Sequence, residues 1–287
     1  MEGFFDEFLN PRIMRDMFPG VLTEGAKNTL VFTVFSFTGG LALGLLLALM
    51  RVSRSRALRW PSAVYTDLLR GLPALLTIVF IGFGIPIATG WQFPFPRYFP
   101  GCLALSMVAG AYIAETIRAG IEGVPRGQWE AARAVGMDDR TTMRLIVLPQ
   151  AFRLVVPPLT NELVLLFKDT SLLAILGTVA GGKEILKFGR DFANATSNTT
   201  PLVVAGLAYL VITLPMIRVV GLLERRYRSG GRGQSTGSST SAARARKARS
   251  TPSFPSTSKR RSGPGRPSPA SALSVASTVA GSTSSPG

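Results

Sequence analysis

The apolar residues of this chain come in long blocks separated by short, arginine-rich polar stretches. Asn28 to Met50 carries no charge, and as a helix it is long enough to cross a bilayer core about 30 Å thick. A second block lies between Arg70 and Arg97, with Pro73 near its start and Trp91 near its end. A third runs from Tyr98 through Ala114 and reaches, with Glu115, to about Ile117. The fourth, Leu154 to Gly182, is interrupted by Glu162 and by Lys168-Asp169, and the fifth extends from about Pro201 to Leu223. The pattern predicts an all-α polytopic membrane protein with five transmembrane helices and its termini on opposite sides. Gly39, Gly40 and Gly44 give the first crossing a small-residue face for another helix.

Between the third and fourth blocks lies a polar stretch, Glu130 to Pro149, reading EAARAVGMDDRTTMRLIVLP. Glu130 to Val135 is rich in good helix formers. Gly136 suits the left-handed conformation that stops a helix, and Asp138 or Asp139 suits the cap of the next one. Pro149 ends that helix or begins its successor. Two short helices joined by a bend are therefore expected. The segment before the first crossing, residues 1–27, has five acids against three bases and lacks the basic start of a cleavable signal peptide. Phe4, Phe5, Phe8, Ile13, Met14, Met17 and Phe18 predict an amphipathic segment at the membrane interface. Residues 229–287 change abruptly to Ser, Thr, Arg, Gly, Pro and Ala, a composition that predicts disorder.

Charge then sets the orientation. Arg51, Arg54, Arg56 and Arg59 follow the first crossing as a loop, with Arg70 at its far edge. Arg118, Arg126, Arg133, Arg140, Arg144 and Arg153 follow the third, and Arg225, Arg226 and Arg228 follow the fifth. The positive-inside rule places these in the cytoplasm and the N-terminus outside. Of the net charge of +16, nine cations lie in residues 229–287, which hold no acid. Phe254 is the sole aromatic there, which argues against nucleic-acid binding and leaves anionic lipid or a dispensable extension. The chain has one cysteine, Cys102, and no histidine, which removes disulfides, zinc clusters and histidine-based catalysis. No metal or cofactor site is expected.

The polar stretch resembles the EAA loop of permease subunits of binding-protein-dependent ABC importers, in Glu130, Ala131, Ala132, Gly136, Ile146, Leu148 and Pro149. PRGQWEAA before it and LPQAFRLVVPPLTNE after it narrow the likeness to the polar amino acid branch. So do Lys168 to Leu172, Arg70-Gly71-Leu72-Pro73, where Leu72 replaces the usual Thr, and Ala111-Tyr112-Ile113-Ala114-Glu115. The resemblance covers roughly residues 25 to 228. It implies a permease domain over 28–228, with a cytoplasmic coupling loop at about 118–153 that touches a separate ATPase. It also implies an ATPase dimer, a second permease subunit (a copy or a relative), an extracytoplasmic amino-acid-binding protein and a multi-pass place in the cell membrane. An enzyme is not implied.

Ionisable residues at membrane depth are the other candidates. Glu115 reads either as a contact for the substrate's amino group, which the resemblance favours, or as a surface pair with Arg118. Asn161 and Glu162 follow Pro157-Pro158, where the helix is expected to be irregular; they either line a polar cavity or satisfy the broken helix. Lys168, Asp169 and Thr170 belong either to a structural network or to the substrate path. Asp67 and Arg70 read as a helix-end pair. Gly177 to Glu184, GTVAGGKE, imitates a phosphate-binding loop but has Glu184 where Ser or Thr must hold magnesium, so energy has to come from a partner. Two rival functions remain open, an ion-driven secondary transporter and a membrane scaffold acting through the basic tail.

Overall fold

The computed structural model describes residues 6–91, 93, 98–177 and 182–229. Apart from Ser229, the predicted disordered tail, like Phe4, Phe5 and Arg97, lies outside the described residues. All regular structure among the described residues is helical.

Asn10 opens α1 (Pro11–Gly20), its side chain accepting from the amides of Arg12 at 3.1 Å and Ile13 at 3.4 Å. A π-helical stretch, Val21–Ala26, carries the chain without a break into α2 (Lys27–Val52). Met17 is fully buried against the helices near the C-terminus, so α1 is docked on protein, while Phe18 and, just beyond the helix, Leu22 are exposed. Thr199 donates from its amide (3.1 Å) and hydroxyl (2.7 Å) to Glu7, tying this end of the chain to a turn far along it.

After Ser53 to Ser55 comes α3 (Arg56–Gly71), where a loop was expected. Its buried face holds Ser62, Thr66 and Leu69, and the Ser62 hydroxyl donates to the Leu47 carbonyl at 2.8 Å. Of the arginines that suggest a loop, Arg51 and Arg54 precede an amphipathic helix, Arg56 and Arg59 lie in its first turn and Arg70 in its last. Leu72 is extended, as the residue before a proline must be, and the chain turns by 105°. It then runs through α4 (Ala74–Val79), a π turn (Phe80–Gly84) and α5 (Ile85–Thr89).

The centre of the fold is α6 (Tyr98–Glu122), whose Ala104, Leu105, Ala109 and Ile113 are shut away by Phe32, Ile78, Leu166 and Leu173 from four other segments. The three glycines of α2 are what let it lie against α6. A Cβ on Gly40 would sit 2.9 Å from the Ala109 Cβ, and one on Gly44 would sit 2.7 Å from Ile113. Beyond the polar loop, α9 (Leu148–Asp169) passes straight through Pro157 and Pro158. The expected irregularity appears only afterwards, as the 3-10 turn Thr170–Leu176, while the Thr160 hydroxyl takes up the Pro157 carbonyl at 2.7 Å. Then come α10 (Ile185–Thr196) and α11 (Thr200–Ser229).

Among the described residues, three helices are long and apolar enough to cross a membrane, and a fourth crossing results if α3 and α4–α5 count as one bent span. Five crossings were expected. The difference lies in α9, where Arg153, Glu162, Lys168 and Asp169 keep the helix too polar to qualify by composition. Leu207, Leu210, Val211, Leu214 and Ile217 leave α11 with an apolar outer face suited to lipid.

The candidate coupling loop and the membrane polar face

The polar stretch folds as two helices with a bend. α7 (Arg126–Ala134) buries Ala132 and leaves Glu130 and Ala131 outward. It ends in a Schellman turn: the Met137 amide donates to the Ala132 carbonyl and the Gly136 amide to that of Arg133, both at 3.0 Å. Gly136 takes φ +83°, where a Cβ is strained, so a glycine here closes the helix at no steric cost. Asp138 then caps α8 (Asp139–Thr142), accepting from the Arg140 amide at 3.2 Å. A π turn, Met143–Val147, leads on, and Pro149 is the second residue of α9, so it begins the successor helix.

Several contacts fix the bend to the membrane helices. Ile121 from the end of α6 and Val124 just beyond it pack with Val147 and Ala151, and Trp129 and Met143 close over them. Gln150 Nε2 donates to Gln128 Oε1 at 3.3 Å and to the Ile146 carbonyl at 3.0 Å. Asp139 pairs with Arg133 at 3.2 Å and with Arg54 of the α2–α3 turn. The opposite side is bare: Val135, Leu145 and Leu148 are 77%, 64% and 45% exposed beside Glu130 and Ala131. Ile146 is half-buried and Pro149 exposed.

The candidate path residues fall in three places. Glu115 is held by Arg118, by Arg51 at 3.5 Å and by Arg70 at 3.8 Å, with the Arg70 guanidinium 5.6 Å from the Tyr112 ring centroid. Arg70 thus leaves Asp67, its expected partner, for a half-buried carboxylate ringed by other arginines. Asn161 and Lys168 share an exposed face of α9 with Leu165, while Glu162 and Asp169 are half-buried beside it. None of these four ionisable or amide groups has a hydrogen bond or an ion pair among the described residues. Thr170 is fully buried and donates to the Phe167 carbonyl at 2.7 Å, away from that face.

Sequence reasoning missed Glu184. It is fully buried and caps α10, accepting from the amides of Leu186 (2.7 Å) and Lys187 and from the Tyr209 hydroxyl at 2.8 Å. The imitation phosphate loop draws attention to what Glu184 cannot do for magnesium; the signal for its real part is an acid directly before a helical run. Burial pushes its carboxyl up to about 7, against the pull of those three donors.

Residues 40–229 match the family described as binding-protein-dependent transport system inner membrane component. The chain belongs to that family. This permease chain is 34% identical over 209 residues to the arginine transport system permease protein ArtQ of Bacillus subtilis, covering 72% of this chain and 93% of that one. It is 35% identical over 214 residues to the L-cystine transport system permease protein TcyB of the same organism, covering 75% and 89%. Among solved structures it is similar to an amino acid ABC transporter with histidines, at TM-score 0.68 and 30% identity over 73% of this chain and 95% of that one. The MetNI methionine ABC transporter, at 19% identity and TM-score 0.59 over 72% and 96%, shares the fold. The chain is therefore a multi-pass inner-membrane permease subunit of the amino-acid ABC importers, a translocation subunit and not itself an enzyme.

Proposed function

We propose that this permease carries a polar amino acid across the membrane by alternating access, driven by a partner ATPase dimer that grips the bend between α7 and α8. The observation that carries this reading is the bend itself. Its inner side is nailed to α6 and α9 by Ile121, Val124, Val147 and Ala151, while Glu130, Ala131, Val135 and Leu145 stand exposed on the outer side. A handle fixed at its root and bare at its tip suits a mechanical contact. In this reading Glu130, Ala131, Ala132, Gly136, Ile146, Leu148 and Pro149 form the coupling site, with the N-terminus outside and the loop in the cytoplasm.

The α9 face supplies the path. Asn161, Glu162, Lys168 and Asp169 would be costly against lipid, so this face meets a second permease subunit and an aqueous cavity between the two. Glu162 and Asp169, seven residues apart, lie on one side of the helix about two turns from each other. That pair suits the amino or guanidinium group of the cargo, and Lys168 suits its carboxylate. Relatives named for arginine, cystine and glutamine support a polar amino acid delivered by an extracytoplasmic binding protein. Glu115, neutralised by three arginines, serves the scaffold.

The test is uptake of labelled amino acids by the reconstituted importer. Gly136→Val keeps the membrane helices but misdirects the bend, and uptake is expected to fall at least tenfold while ATP hydrolysis continues. Normal uptake by that variant overturns the coupling assignment.

A further inference from the structure

Helix α3 belongs neither to the coupling bend nor to the path, yet its surface is patterned. Its outward stripe is Trp60, Val64 and Leu68, spaced one turn apart and 71%, 45% and 55% exposed. Along one edge of that stripe, in the first turn, lie Arg56 and Arg59, both exposed and paired with no acid among the described residues. Asp67 is the single acid of the helix and sits two to three turns away.

The course of the chain gives this stripe a location. α4 follows the spanning helix α6, with Ala74 near Val108 and Ala111 and Ile81 near Cys102 and Leu105. α3 stands at 105° to α4, so it lies across the direction of crossing. Length agrees: a straight helix from Arg56 to Thr89 would rise about 50 Å, against a hydrocarbon core of about 30 Å. Arg54, in the turn just before α3, is bound to Asp139 of the α7–α8 bend. The start of α3 is thus on the same side as the bend.

The geometry points to α3 as an interfacial helix that binds anionic lipid in the leaflet facing the α7–α8 bend. Trp60, Val64 and Leu68 sink into the acyl boundary, and Arg56 and Arg59 hold headgroup phosphates. Apolar residues opposite a buried polar face, an indole beside the arginines and cations left without protein partners are the properties that such a surface requires. A second protein subunit on this face would have to leave two arginines unpaired or supply acids for them.

The test uses the full chain in its assembled importer, placed in phosphatidylcholine bilayers. Tryptophan quenching is compared for a small fraction of brominated phosphatidylglycerol and the same fraction of brominated phosphatidylcholine. Trp60→Phe isolates the contribution of that indole from Trp91 and Trp129. Brominated phosphatidylglycerol is expected to quench Trp60 at lower mole fraction than brominated phosphatidylcholine. Removing one arginine, Arg56→Gln or Arg59→Gln, is expected to reduce that preference roughly fivefold, as befits about 1 kcal/mol per cation at an anionic surface. The lysine variants at both positions retain the preference. Equal quenching by the two lipids, an unchanged preference in the glutamine variants, or no quenching of Trp60 because protein covers it would each overturn the proposal. Uptake and ATPase coupling do not enter this measurement, so the transport assignment stands or falls separately.

Discussion

Arg70, at the end of α3, and Glu115, in α6, meet at 3.8 Å, although each has a nearer candidate partner along its own helix. Arg51 and Arg118 close on the same carboxylate, so one acid ties the ends of α2, α3 and α6 together where the chain is about to turn at Pro73. Replacing Glu115 by Gln leaves three arginines around a neutral amide. The loss is expected at about 1–3 kcal/mol, because hydrogen bonds to charged partners are being removed from a half-buried place. Glu122 is 62% exposed and, among the described residues, pairs with Arg118 alone, so Glu122→Gln is expected to change little. Thermal unfolding of the purified complex compares the two; equal effects would mean that the Glu115 cluster contributes no more than a surface pair.

The contact of α2 with α6 depends on missing side chains. A Cβ on Gly44 falls 2.7 Å from the Ile113 Cγ2 and 3.0 Å from the Gly110 carbonyl, which is backbone and has no room to give. Gly44→Ala is expected to cost about 1–3 kcal/mol through overpacking. Gly71→Ala meets nothing within 4 Å and serves as the comparison. Detergent-solubilised yield and unfolding temperature check the pair, with Gly44→Ala lower in both.

Glu184 makes stability depend on pH in a known direction. Its carboxyl is raised by burial from the ordinary 4.5 to about 7, so between those values the folded chain holds a proton that the unfolded chain has released. The stabilisation is complete below about pH 4.5 and is lost as pH rises through about 7, an effect of order 3 kcal/mol at most. The unfolding temperature is expected to decline from about pH 5 to about pH 7.5, and Glu184→Gln is expected to flatten that part of the curve. A wild-type profile that is flat, or that rises, contradicts the assignment.

Local chemistry makes the α7–α8 bend legible in the amino-acid sequence alone. Gly136 stopping one helix, Asp138 capping the next and Pro149 opening the third are short-range effects, and each is found in place. The small-residue face of α2 is legible for the same reason, since it needs only a neighbour of any kind. Contacts between distant segments leave no such local trace. Spacing pairs Arg70 with Asp67 because it sees only one helix at a time, whereas the fold brings Glu115 to Arg70 from another. Proximity in sequence groups Thr170 with Lys168 and Asp169, although the turn into the 3-10 segment buries it. α3 reads as a loop because arginines stand at both of its ends, Arg56 and Arg59 in the first turn and Arg70 in the last, while the buried face that makes it a helix, Ser62, Thr66 and Leu69, is only partly apolar.

In the transport reading, the bare side of the bend is where the ATPase docks. Cys102 is buried, so Ala131→Cys places one accessible thiol on that side. A short thiol-reactive photocrosslinker on this residue, in the assembled importer, is the direct measurement. It is expected to capture the ATPase subunit, and the same probe on Val211→Cys of the outer α11 face is expected not to. An intact complex in which the Ala131→Cys probe captures no ATPase would contradict the docking assignment.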